Sequence, residues 1–405
     1  MSTEPAPDGW EAMATTMPCP VCGKTVPRGA FCGLCGAHLI RQRGDGPDWL
    51  RIRAYGAAPG EHLLRLSLVS SLFPQLPRSS RRAFQVGLAA VILALVLFAL
   101  LRWQPPLIAI SALGLPLLFL IYLHESCVFD DLPVRTLLIT AVLGVGLGVG
   151  WAWLTGTVVA RSYDVALVSG RAGGGVLWER LAIPLGGAVL MLVPVVLVRM
   201  SRPAIRNSLD GFVIGSLGAI CFTAAATLTR MAPQLATGLV ARDRPVEGLL
   251  VEAGIRGVAM PLTAAAAGGM VGAALWFRRR MDMPQRLRGH ASAALLPGFV
   301  VLIVYAGLGL IDVAQLAQGV QLGLYTVITV LALLALRVVL HMALLREEHA
   351  PGSSAPLLCP NCDHVVPDMA FCPNCGVAAN ASSRSSRNVR RLARPLHTDT
   401  KPEGP

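Results

Sequence analysis

The sequence predicts an all-α polytopic membrane helix bundle of about eight spanning helices, with a small cysteine-rich module at each end. Three observations carry that expectation. The 405 residues are 54% hydrophobic and 14% charged, whereas an average soluble domain is roughly a quarter charged. The apolar residues gather between Phe84 and Leu345 into long runs separated by short arginine-bearing loops, and about 20 apolar residues make one spanning helix. Four cysteines in two C-x-x-C pairs precede this block, and four more follow it.

Taken in order, residues 1–18 are polar and rich in Pro and Thr, with no apolar core of a secretion signal. They are expected to be disordered, and insertion to begin with the first spanning helix. The module at 19–39 holds Cys19-Pro-Val-Cys22, nine residues, then Cys32-Gly-Leu-Cys35, with Gly23 and Gly36 placed to make the turn after each pair. Two such knuckles bring four thiolates together, the tetrahedral sulfur set of a structural Zn²⁺. A fold of about twenty residues has almost no core, so the metal must supply most of its folding energy, on the order of 10–16 kcal/mol. Iron is the other metal for such a set. Two disulfides or inert cysteines are the readings without metal. Thiolate ligands imply a reducing compartment.

Residues 40–83 read as a linker that turns amphipathic: Leu63, Leu64, Leu66, Leu68, Val69, Leu72 and Phe73 precede Pro74 and Pro77, with Arg78, Arg81 and Arg82 behind. An interfacial helix leading into the bilayer fits this pattern, and a soluble connector fits it equally. The bundle, 84–345, divides into apolar segments at 84–101, 105–123, 136–160, 181–198, 211–229, 257–277, 291–311 and 322–345. Segment 181–198 is short and carries Pro184 and Pro194, so a re-entrant segment is its alternative. Gly144, Gly146, Gly148 and Gly150, Gly211 and Gly215, and Gly268 and Gly272 supply small faces for close helix packing.

With the N-terminus inside, thirteen arginines flank the segments on the cytosolic side and eight on the outer side, the run Arg278–Arg280 contributing much of the difference. The expected location is the cell membrane, multi-pass, with both termini cytoplasmic. Both cysteine modules then share one reducing side.

After a linker at 346–358, the second module at 359–379 repeats the first as Cys359-Pro-Asn-Cys362 and Cys372-Pro-Asn-Cys375. It also repeats Val26-Pro27 as Val366-Pro367 and Ala30-Phe31 as Ala370-Phe371, while Asp363 stands where Gly23 stood. Such a repeat at opposite ends allows the two modules to pack together, which spacing alone does not decide. The tail, 380–405, is basic and Ser-rich, with Arg384, Arg387, Arg390, Arg391 and Arg394. Disorder is expected there, with contact to anionic lipid at about 1 kcal/mol per basic residue.

Ionisable groups at bilayer depth usually mark function, and here they are sparse. His124, Glu125, Asp130 and Asp131 fall in a loop, and Glu179, Asp210, Glu252 and Asp312 at segment ends. Arg337 and His341 lie in the last segment, near enough to the cytosolic end to snorkel. No catalytic residue and no cofactor-binding residue is assigned.

Phe129-Asp130-Asp131-Leu132-Pro133 with Arg135, the run Asp210-Gly211-Phe212-Val213-Ile214-Gly215 continuing to Phe222, and Arg256 to Gly272 with Pro261-Leu262 resemble the PrsW-type intramembrane proteases over roughly residues 80–340. The resemblance implies a helical membrane bundle with paired glutamates, a Glu-Asn and a histidine. Here those positions hold Leu185, Gly186, Gly187 and Ala188 near Pro184, then Ala226 and Thr227, then Ala264. A site without acid, base or ligand cannot polarise a peptide carbonyl.

The expectation is therefore a non-catalytic, PrsW-like integral membrane protein, a scaffold or adaptor presenting cytosolic zinc ribbons to protein partners, with the lipid bilayer as its other partner. The alternative is an active intramembrane peptidase of the PrsW type using Glu179 or Asp210. A transporter broken at Pro184 and Pro194 is the third reading. A nucleic-acid role is disfavoured: the ribbons carry few cations, Lys24 and Arg28, and the basic tail lacks aromatics for stacking.

Overall fold

The computed structural model describes residues 15–40, 42, 44–50, 52, 54–74, 76, 80–169, 175–201, 207–235, 240, 245–277, 290–314, 316–347 and 355–393. The first strands, β1 (Thr16–Pro18) and β2 (Thr25–Pro27), pair antiparallel with Met17 opposite Val26. The ribbon thus begins inside the segment expected to be disordered, because β2 needs a partner for its ladder. Residues 1–14 lie outside the described residues.

A short helix, α1 (Leu68–Leu72), follows, then α2 (Arg81–Leu100) and α3 (Gln104–Glu125), whose Pro105 and Pro106 preset its first turn. After α4 (Val128–Asp131) come α5 (Val134–Ser169), α6 (Gly175–Ser201) and α7 (Ser208–Leu235). Next, α8 (Val246–Ala253) runs without a break through a π-helical turn, Gly254–Ala259, into α9 (Met260–Trp276). The bundle closes with α10 (His290–Val313) and α11 (Gln318–Arg346). Strands β3 (Leu357–Leu358) and β4 (Val365–Val366) form the second ribbon, and α12 (Arg384–Leu392) ends the described chain. That helix lies in the tail expected to be disordered; its N-terminus is held by acceptors from elsewhere in the fold.

Among the described residues seven helices are long and apolar enough to cross a membrane, which fits a multi-pass membrane protein. The eighth expected segment, 291–311, is helical too, but the apolar stretch counted for it, Leu296–Ile311, is shorter. It nonetheless carries the chain across. The C-terminal ends of α9 and α11 both meet the start of α7, at Gly211 against Trp276 and Ser208 against Glu347, so the connection between them traverses the bundle. Segment 181–198 is continuous helix, with Pro184 and Pro194 inside α6. Segment 257–277 begins earlier than expected, at Val246. Glu252 and Arg256 therefore sit on a helix, one turn apart and 3.4 Å from each other as an ion pair, rather than in a solvated loop end.

The centre of the bundle is the α7–α9 contact, and glycine makes it possible. A Cβ on Gly215 would lie 2.0 Å from the Gly268 carbonyl oxygen, and one on Gly272 would lie 2.0 Å from that of Gly211. On the other side of α7, Gly144 and Gly148 of α5 face the carbonyls of Gly218 and Phe222 at 2.6 and 2.4 Å from such a Cβ, while Gly146 and Gly150 face open space. Helices in lipid associate through such backbone approach. Gly215→Ala is expected to destabilise by about 1–3 kcal/mol through overpacking. Gly146→Ala is expected to be neutral or stabilising by up to about 1 kcal/mol. Thermal unfolding in detergent distinguishes them, and equal effects would contradict this packing.

The stretch read as an interfacial helix is folded inward instead. Leu63, Val69, Leu72 and Phe73 are buried in one core with Phe84, Phe119, Tyr122 and Leu336. Its apolar face meets protein because α2, α3 and α11 leave a matching apolar surface at this end.

Candidate metal centres

Each knuckle is built by the same backbone bonds. In the first ribbon, Cys19 N–H donates to Lys24 O (3.0 Å) and Gly23 N–H to Cys19 O (3.0 Å); Cys32 N–H donates to Ala37 O (2.6 Å) and Gly36 N–H to Cys32 O (2.8 Å). The residue after each second cysteine has positive φ: Gly23 at 67° and Gly36 at 69°, then Asp363 at 56° and Gly376 at 76°. Asp363 replaces glycine there because a short polar side chain tolerates the left-handed region.

Within each ribbon the four Sγ atoms, of Cys19, Cys22, Cys32 and Cys35 and of Cys359, Cys362, Cys372 and Cys375, lie within 4.8 Å of one another. Cys19–Cys35 stand at 3.7 Å, Cys22–Cys32 at 3.8 Å, Cys359–Cys375 at 3.6 Å and Cys362–Cys372 at 3.9 Å. A sulfur tetrahedron at about 2.3 Å from a metal has edges of about 3.8 Å, whereas a disulfide is about 2.05 Å. Both sets fit a metal ion. N–H groups of Val21 and Cys35 reach Cys19 Sγ and Cys32 Sγ, at 3.5 and 3.4 Å, and Asn374 Nδ2 donates to Cys362 Sγ at 3.5 Å, which suits thiolate charge. Among the described residues, no other group of three or more Cys, His, Asp or Glu comes together in this way.

The two ribbons pack against each other. Phe31 N–H donates to Pro373 O and Phe371 N–H to Gly33 O, both at 2.9 Å. Phe31 covers Gly376 and Phe371 covers Gly36, so that a Cβ on either glycine would lie 2.7 or 2.8 Å from the opposing ring. Corresponding residues exchange corresponding contacts, an approximate twofold relation between two parts of one chain.

This head is tied to the bundle through segment 54–73. Ala378 N–H donates to Gly56 O at 2.8 Å, and Gly56 N–H to His341 Nδ1 at 3.1 Å. One turn earlier on α11, Arg337 is 0% exposed. Its guanidinium pairs with Glu61 at 3.0 Å, donates to Ser70 Oγ at 2.7 Å and His62 O at 3.2 Å, and lies 4.2 Å from the centre of the Tyr55 ring. Arg337 and His341 therefore do not snorkel to water. The two Arg337 Nη groups and His341 Nδ1 find protein partners in a segment folded over the helix end.

Three further carboxylates hold this end together. Asp131 accepts from the N–H groups of Arg384 and Ser385, at 2.5 and 3.0 Å, and from Ser385 Oγ at 2.6 Å, closing the start of α12. Asp210, in the first turn of α7, lies 3.8 Å from Arg384. Glu347 is buried and accepts from Ser208 N–H at 2.6 Å and Ser208 Oγ at 2.5 Å, satisfying an orphan donor at the start of α7. Burial pushes its carboxyl up from 4.5 to about 7, against the two Ser208 hydrogen bonds, which lower it. The folded state then holds a proton that the unfolded state releases above its lower value. This group's contribution to stability is greatest below about pH 4.5 and is lost as pH rises through 7, a change on the order of a few kcal/mol. Glu347→Gln is expected to flatten that dependence, as denaturant unfolding between pH 5 and 8 would register. An unchanged slope would mean another group titrates there.

All eight cysteines expected as ligands are brought together in the two sets. Of the positions where the PrsW-type resemblance implies polar groups, Ala188, Ala226, Thr227 and Ala264 are buried, on α6, α7 and α9. Glu61 and Glu347 were invisible to sequence reasoning, since each meets a partner across a long stretch of chain and lies in no motif, and Asp131, read as a loop residue in an acidic-Pro motif, meets a partner that the motif does not indicate. Among the thirteen arginines expected on one side, Arg81, Arg82, Arg135, Arg199 and Arg346 lie at helix ends, where Arg81 donates to Ala57 O, Arg346 to Trp49 O and Arg199 to Leu275 O near the end of α9. Arg78, Arg202, Arg206, Arg278–Arg280, Arg286 and Arg288 lie outside the described residues. No family model, no curated protein and no solved structure matches the chain.

Proposed function

We propose that this chain is a membrane-anchored adaptor whose two zinc-loaded ribbons form one cytosolic head that presents a surface to protein partners. The observation that carries this reading is the ribbon pair itself: two metal centres joined face to face and fastened to the bundle through Gly56, His341 and Arg337. A rigid, metal-held head on one end of a helical anchor suits recognition. Zinc is the metal of this reading because it takes four thiolates without redox chemistry. Reducing conditions and the arginine distribution support a cytosolic head and a cell-membrane location.

The bundle is read as a relative of the PrsW-type proteases that has kept the helices and not the chemistry. Small buried side chains at Ala188, Ala226 and Ala264 support that, since none can activate water. The test is metal analysis of the purified full chain together with in-membrane crosslinking. The expected result is about two zinc ions per chain, and a set of crosslinked proteins that disappears in Cys32→Ser while the bundle still unfolds cooperatively. The same crosslinked set in Cys32→Ser, or cleavage of a membrane substrate by the purified wild type, would overturn this reading.

A further inference from the structure

Helix α12 carries four arginines and no acidic residue in nine positions, RSSRNVRRL. One side of it packs on the second ribbon, against β3 and with Arg391 paired to Asp368, while Arg390 Nη2 donates at 2.8 Å to Ser382 Oγ just before the helix. The other side is open. Val389 is 61% exposed and Leu392 86%, and Asn388 and Arg384 share that face. Two exposed apolar side chains among arginines are unlike the rest of the ribbon surface.

The depth of this face is set by its anchors. The first turn of α12 is bound to Asp131, which ends α4 three residues before spanning helix α5 begins. Arg384 also approaches Asp210 in the first turn of spanning helix α7. Both acidic residues stand where spanning helices leave the apolar layer, so the start of α12 lies at headgroup level. Trp49 stands at the same end, 57% exposed, its carbonyl accepting from Arg346 at the end of α11. Exposed tryptophan and arginine at helix ends are the residues that favour this layer.

We propose that the open face of α12 docks on the anionic headgroups of the bilayer that holds the bundle, with Val389 and Leu392 entering the acyl boundary and Arg384, whose side chain is 55% exposed, meeting phosphate. This goes beyond the adaptor reading and does not rest on it. Cationic amphipathic helices bind in this way, through buried apolar area and attraction to anionic lipid together. An acidic protein surface could offer the same charge, but not at this depth. Docking makes the membrane, rather than a soluble partner, the occupant of this side of the head. Partners are left the surfaces that face away.

The test uses the metal-loaded full chain in nanodiscs, with Cys127→Ser and Cys221→Ala in the background and an environment-sensitive fluorophore on Asn388→Cys. Discs of phosphatidylcholine, with and without phosphatidylglycerol, are compared. The expected result is a blue shift and a gain in intensity in the anionic discs, reversed by high salt and lost in Leu392→Asp, an exposed position whose change leaves the fold intact. Identical emission in both discs, or a shift that survives Leu392→Asp, overturns the proposal. A shift in neutral discs on adding polyglutamate, with none from phosphatidylglycerol, also overturns it and assigns the face to an acidic protein.

Discussion

Removing the metal from one ribbon will unfold both. Each ribbon has a core of only a few side chains, chiefly its own cysteines with Val26, Ala37 and Leu39 or with Val366 and Val377. Metal binding of about 10–16 kcal/mol is thus most of its folding free energy. The ribbons also complete each other: Phe31 and Phe371 each cover a glycine of the partner knuckle, and each supplies a cross-ribbon hydrogen bond. Cys372→Ser should therefore lower metal content from two ions per chain to below one, not to one. Amide exchange should rise across 16–39 and 357–379 and along α12, which packs on β3, while α7 and α9 stay protected. A first ribbon that keeps its metal and its protection in Cys372→Ser would show that the two fold independently.

The second large effect is expected at Arg337. Glu61→Ala leaves its guanidinium buried at 0% exposure without a counter-charge. Removing one partner of a buried ion pair costs about 3–5 kcal/mol. The damage should be local first: segment 54–73 should detach from α11, with protease cleavage appearing there well below the unfolding temperature of the bundle. Arg337→Met combined with Glu61→Gln should recover most of the loss, because well-packed neutral replacements of a buried pair are often neutral or better. If Glu61→Ala melts like the wild type, the hydrogen bonds from Arg337 to Ser70 and His62 suffice without the carboxylate.

Much of this architecture was legible because it is local in the chain. Apolar run length identifies a spanning helix wherever it packs, and C-x-x-C spacing identifies a knuckle from four neighbours. The glycine faces of α5, α7 and α9 followed from spacing too, although only the structure separates Gly144 and Gly148, which touch α7, from Gly146 and Gly150, which do not. What stayed hidden depends on partners far apart in sequence. Residues 63–73 have one amphipathic pattern whether their apolar face meets lipid or protein, so the pattern could not choose. Helix α12 lacks apolar periodicity and is held by the Ser383 cap and by Asp131, at the end of α4. Arg337 and Glu61 carry no motif, and an arginine near a helix end looks the same whether it reaches water or a carboxylate.

The clasp between Phe31 and Phe371 has a consequence for how the molecule is made. The first ribbon leaves the ribosome ahead of the helices, yet the surface it must cover is translated only after α11. At roughly 5–20 residues per second, that wait lasts on the order of tens of seconds. Throughout it, the first ribbon shows a bare aromatic ring and an uncovered glycine turn to solvent. Closure of the head therefore marks a chain that has reached its second ribbon, and one that stops short of it differs by a patch that chaperones and proteases can read.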